Sequence, residues 1–148
     1  MRPGVNEEAG FRGIAAALVL RKYRRPGNIW ISAVFIGIVF GLTHFIGFGP
    51  EDSFLPVFVN AVFAAFFGII FGVIFILSGN LWPCMILHSL YDTLAFMITS
   101  VADSPDWPVF AEVGAYLLVM IVFLVVLYRN RDKASQLWYR KWKNGVRE

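Results

Sequence analysis

Three short patterns in this chain of 148 residues carry side chains that could act on one another. Glu7 and Glu8 are followed by Arg12, four residues after Glu8. Phe40 precedes His44 by four, and His88 precedes Asp92 by four. In a helix that separation places the two members of a pair on one face. A carboxylate in an apolar setting can serve as general base on a water molecule. Imidazoles and carboxylates can instead hold a divalent metal, zinc being the usual choice, that acidifies the same water. A second histidine beside a polar side chain can face a developing oxyanion. The chemistry these types suit is hydrolysis.

The elements that must position them are membrane helices. The chain is 58% apolar and 16% charged, with a mean hydropathy of +0.66. Soluble domains run nearer to about 45–50% apolar and about 25% charged. All 13 Lys and Arg lie in residues 2–25 or 129–147, so 26–128 contain none. This excludes a soluble enzyme, a disulfide-rich secreted domain and a disordered chain. The single cysteine, Cys84, excludes a disulfide framework and a cysteine-based zinc site. The net charge of +3 is no nucleic-acid signal, because the basic residues flank apolar segments. The run Ile14 to Leu20 follows Glu7 and Glu8 and precedes Arg21, Lys22, Arg24 and Arg25, which is not the pattern of a signal peptide.

Four stretches approach the roughly 20 apolar residues that a crossing needs: about 28–48, 54–77, 81–101 and 108–128. Gly49-Pro50, Gly79-Asn80 and Ser104-Pro105 mark the breaks. In lipid the backbone must pair within its own segment, so the spans are helices. Residues 5–20 form a half-span. The tail 129–148 interleaves Trp138, Tyr139 and Trp142 with basic residues. It suits either an interfacial helix on anionic lipid or a solvated tail. The expected fold is therefore an all-α integral membrane protein, one membrane domain over 1–148, with four spans, the half-span and the basic tail. The segment 21–25 and the tail are basic. The loops with Glu51 and Asp52, and with Asp103 and Asp106, are not, so both basic segments are expected on the cytoplasmic side of a cell membrane. At about 1.5 Å per residue, His44 lies roughly 24 Å into its helix, Glu7 and Glu8 roughly 20 Å, Asp92 roughly 16 Å and His88 roughly 10 Å. These depths permit one polar cluster built from three helices. Ionisable groups at such depth are candidates for function.

The patterns together resemble a family. Glu7-Glu8-Ala-Gly-Phe-Arg12 resembles the EExxxR motif of the CPBP intramembrane proteases, formerly called Abi. That family includes CAAX prenyl endopeptidases and bacteriocin-processing and immunity proteins. Phe40-Gly-Leu-Thr-His44 resembles its FxxxH motif, and His88-Ser-Leu-Tyr-Asp92 its last, a histidine followed four residues later by Asn or Asp. The three stand in family order over residues 5–95. The resemblance implies that Glu7 activates water with His44 holding it. It implies that Glu8 and Arg12 pair to brace the helix end, and that His88 and Asp92 stabilise the oxyanion or position the substrate carbonyl. A glutamate-only route and a metal held by Glu7, His44, His88 and Asp92 both stay open. Asp92 stands where the prenyl-endopeptidase branch prefers Asn. An ionised aspartate there would repel an oxyanion, so it must be protonated, bind metal or orient His88. The family usually has two or more helices before EExxxR, whereas six residues precede Glu7 here.

The expected function is intramembrane cleavage of a peptide or prenylated peptide, within the bilayer and without nucleic acid, with a homo-oligomer as one source of a missing wall. The alternatives are a catalytically inactive membrane scaffold or bacteriocin-immunity-type binding protein derived from the family, and an ion or proton carrier that uses the same groups as a relay. Glu112 reads as a surface residue near the interface, Cys84 as packing, and Trp82-Pro83 as an interface anchor opening a helix. The Phe-rich run 54–75 reads as lipid-facing or packing surface, with Asn60 within it as a helix–helix hydrogen bond or, as the lesser alternative, a contact to the site. The pairs Gly37/Gly41 and Gly68/Gly72 match a close-packing pattern that is common in membrane helices and carries little weight alone.

Overall fold

A computed structural model describes the backbone of residues 2–46, 49, 53–101 and 109–144, and the side chains of 5–46, 49, 53–93 and 114–144. All regular structure among these residues is helical. α1 (Arg2–Glu8), a π-helical stretch (Ala9–Ala16) and α2 (Ala17–Tyr23) run on without a break. They are followed by α3 (Ile29–Thr43), α4 (Phe54–Ser78), α5 (Trp82–Val101), α6 (Val109–Arg129) and α7 (Arg131–Asn144). The acidic loop residues Glu51, Asp52, Asp103 and Asp106, the break at Ser104-Pro105 and the side chain of Glu112 lie outside the described residues.

The expected half-span at 5–20 is the middle of a longer helix that reaches Tyr23. The expected span at 28–48 is helical only over Ile29–Thr43, about 22 Å at 1.5 Å per residue and short of a bilayer core. The helix tightens there into a turn in which the backbone N–H groups of His44, Phe45 and Ile46 donate to the carbonyls of Gly41, Leu42 and Thr43 at 3.1, 3.2 and 3.0 Å. The hydroxyl of Thr43 donates to the Phe40 carbonyl at 2.6 Å, and the ring of His44 approaches the same oxygen at 3.1 Å. Among the described residues, Phe54–Ser78 is the one unbroken helix both long and apolar enough to cross a membrane.

Gly37, Gly41, Gly68 and Gly72 form the main seam of the bundle. A Cβ on Gly37 would stand 2.8 Å from the Ala65 carbonyl, and one on Gly68 would stand 2.7 Å from the Gly37 Cα. α3 and α4 therefore touch backbone to backbone, and both glycine pairs have packing roles that their commonness in sequences concealed. Gly37→Ala is expected to lower stability by about 1–3 kcal/mol, since backbone must move to admit the methyl group. Gly114→Ala, where nothing lies within 4 Å, should be neutral. Equal stability of the two variants in detergent-mixture unfolding would sink this account of the seam.

The two basic flanks meet at one end of the bundle. α4 ends at Gly79, whose φ of +63° is left-handed. Asn80 Oδ1 then accepts from the Trp82 backbone N–H at 3.1 Å and opens α5, with Pro83 in its first turn. α7 bends 71° from α6 and lies across this end. Trp138 is buried there and donates its indole N–H to the Ile76 carbonyl at 2.9 Å. Arg21 sits over the Trp142 ring and Arg24 over Tyr139, each 5.8 Å from the centroid. Within the tail, α7 is thus a helix packed on the bundle through Ala134, Ser135 and Trp138.

Candidate active site

The π-helical winding begins one residue after Glu8 and contains Arg12. Such widened turns are frequent at functional sites. Glu8 and Arg12 are both fully buried, and Arg12 Nη1 lies 3.0 Å from Glu8 Oε1. The expected pairing is present. The guanidinium also donates from Nη2 to the Gly68 carbonyl at 3.2 Å and lies over two rings, Phe40 at 4.7 Å and Phe71 at 5.7 Å. A buried cation needs this many partners, because few arrangements repay its lost hydration.

Glu8 has a second task that spacing did not reveal. Its Oε1 also accepts from His88 Nδ1 at 2.8 Å. One carboxylate oxygen therefore ties α1 to both the π-helix and α5. Because an ionised carboxylate only accepts, His88 carries a proton on Nδ1, and Nε2 is turned to the remaining acids. Nε2 stands 3.8 Å from Glu7 Oε2 and 3.6 Å from Asp92 Oδ1. These separations are too long for direct hydrogen bonds and suit a group held between them.

His44 approaches from α3. Its Nδ1 faces the Phe40 carbonyl, which can only accept, so the neutral ring has its lone pair on Nε2. Phe40 packs its ring against His44 at 5.0 Å and lies 6.3 Å from His88. The phenylalanine of FxxxH thus stands between the cation of Arg12 and both imidazoles.

A cavity of about 590 Å³ joins these parts. Glu7, His44, His88 and Asp92 all line it. So do Asn60, Phe63, Phe67 and Tyr91. Asn60 is exposed on α4, which corrects its expected role as a helix–helix hydrogen bond: its helix face meets the cavity and not another helix. Phe63 and Phe67 likewise make an apolar wall of the cavity. The i, i+3 and i+7 spacing of Asn60, Phe63 and Phe67 puts them on one helix stripe, which is the signal that could have found them.

On the metal route, which the sequence left open beside a glutamate-only one, no group of three His, Cys, Asp or Glu among the described residues converges as ligands around an ion would. His88 Nδ1 and His44 Nδ1 are committed to Glu8 and to the Phe40 carbonyl, which leaves the two Nε2 atoms for other partners.

The chain matches the family described as type II CAAX prenyl endopeptidase Rce1-like over residues 1–94, a stretch that contains all three motifs. No curated protein and no solved structure matches it.

Proposed function

The chain belongs to the type II CAAX prenyl endopeptidase Rce1-like family, whose members are membrane-embedded, and from that premise we propose that it is itself an intramembrane endopeptidase. The observation that carries this reading is the convergence of Glu7, His44, His88 and Asp92 on one cavity from three separate parts of the chain. In the proposed reaction Glu7 takes a proton from water while His44 Nε2 accepts the water's other hydrogen and holds it in place. The water oxygen bonds to the peptide carbonyl carbon. His88, in its doubly protonated form, donates Nε2–H to the oxyanion. Glu7 returns its proton to the amide nitrogen as the C–N bond breaks, so charge and protons balance. Asp92 acts through His88 by standing on its Nε2 side, the third of the roles open to an aspartate there.

The aromatic wall of Phe63, Phe67 and Tyr91 favours a substrate with a long apolar group beside its scissile bond, as a prenylated peptide has. The proposed setting is a cell membrane, crossed four times, with the two basic flanks on the cytoplasmic side. Their meeting at one end of the bundle supports a shared side.

The test is cleavage of a prenylated CAAX reporter peptide by the purified full chain in proteoliposomes. Release of the C-terminal fragment, with the unprenylated peptide cut at least tenfold more slowly, is expected. Saturable retention of the prenylated peptide with no cleavage would replace the enzyme by the scaffold or binding-protein reading.

A further inference from the structure

A second cavity, of about 580 Å³, lies at the basic end of the bundle, where α7 crosses the last turn of α4. Arg21, Lys141 and Trp142 give it cationic and donor groups, and Ala17, Phe75 and Leu81 give it apolar lining. Every charged side chain among the described residues lining it is cationic. Lys141 Nζ donates one hydrogen to the Gly79 carbonyl at 2.9 Å and keeps two more. The indole N–H of Trp142 is buried and has no partner among the described residues. A buried donor left unmatched costs free energy, and an anionic oxygen would supply what it lacks. On the far side of α7, Arg24, Arg25 and Arg140 line a smaller cavity of about 360 Å³ and add to the positive field.

We propose that this cavity binds the phosphate of an anionic glycerophospholipid, with Arg21, Lys141 and Trp142 on the phosphate and the first chain methylenes over Ala17, Phe75 and Leu81. Free phosphate has the same charge but no use for the apolar half. Basic pockets between membrane helices take such headgroups at the level of the interface. Gly13, Ala17 and Arg21 lie at i, i+4 and i+8 on the helix that carries Glu7, and all three line the cavity. A lipid seated there would therefore brace the active-site helix from its basic end. The inference rests on membrane embedding and not on peptide hydrolysis.

The test uses the purified full chain in neutral detergent and reads Tm, with no cleavage step, so that its outcome leaves the endopeptidase reading untouched. Phosphatidylglycerol should raise Tm saturably, by about 5 °C at roughly 100-fold above half-saturation. Phosphatidylcholine and inorganic phosphate should not. Arg21→Gln/Lys141→Gln should abolish the rise. Trp142→Phe, which keeps a ring and removes the donor, should shift half-saturation upward by about fivefold or more. Lys133→Gln/Lys143→Gln removes equal charge from α7 outside the cavity and should retain the rise. An equal rise with phosphatidylcholine or with inorganic phosphate overturns the proposal. So does an equal loss in the Lys133/Lys143 variant, which would mean diffuse charge. Should the Arg21/Lys141 variant fail to fold, unchanged half-saturation in Trp142→Phe overturns it alone.

Discussion

Glu7→Gln lowers the rate of peptide cleavage by about 10²- to 10⁴-fold, the range that one general base supplies, while the protein still folds and inserts. Glutamine keeps the length and polarity of the side chain and cannot take a proton. The fold is spared because Glu7 is partly exposed and approaches His88 no closer than 3.8 Å, leaving the buried Glu8–Arg12 pair untouched. His44→Gln should cost a similar factor, since it removes the Nε2 lone pair that holds the same water. The double variant should then be little worse than either single one, because groups that act as a unit are not additive. Single-turnover cleavage of the reporter peptide in proteoliposomes measures all three. Wild-type rates in Glu7→Gln would remove the water-activating role from this residue.

Arg12→Met acts on stability instead. The guanidinium is fully buried among Glu8, the Gly68 carbonyl and the rings of Phe40 and Phe71. Its removal leaves the Glu8 carboxylate without its guanidinium partner and should cost about 3–5 kcal/mol, as breaking one side of a buried ion pair does. Arg12→Lys should recover only part of this loss, because a single ammonium cannot reach both Oε1 and the Gly68 carbonyl while lying flat between two rings. Glu8→Met/Arg12→Met removes both charges and should be more stable than Arg12→Met alone. It should still cleave poorly, because His88 has then lost the acceptor that fixes its Nδ1 proton. Unfolding in mixed detergent micelles gives the stabilities. A double variant no more stable than the single one would show that charge imbalance is not what the guanidinium prevents.

The chain exposed much of this in its order of residues. A long stretch without Lys or Arg makes the few polar exceptions stand out, and i, i+4 spacing is enough to pair Glu8 with Arg12. That Glu7, His44, His88 and Asp92 share a cavity followed from motif order and helix depth together. The contact of Glu8 with His88 spans 80 residues, and no local pattern encodes which carboxylate oxygen a distant ring will meet. Phe71 was equally hidden, since a ring beneath a guanidinium reads in sequence as one more apolar residue among many. The early end of α3 is a tightened backbone turn at His44–Ile46, with Thr43 and His44 turned back onto the Phe40 carbonyl, a choice that helix propensity does not describe. The packing of α7 depended on a left-handed Gly79: a Cβ there would stand 2.9 Å from Leu137.

The sharing of one Glu8 oxygen also has a consequence in time. Arg12 emerges from the ribosome four residues after Glu8, so the two charges can neutralise each other within a single helical turn before α3 and the helices after it exist. His88 follows 80 residues after Glu8, which at roughly 5–20 residues per second is a delay of about 4–16 s. During that interval the first helix can sit in lipid as a nearly neutral unit, its ion pair formed and its bond to His88 still unmade. The active site is then closed late, when α5 arrives, around a charge pair that the nascent chain has carried ready-made since α1 formed.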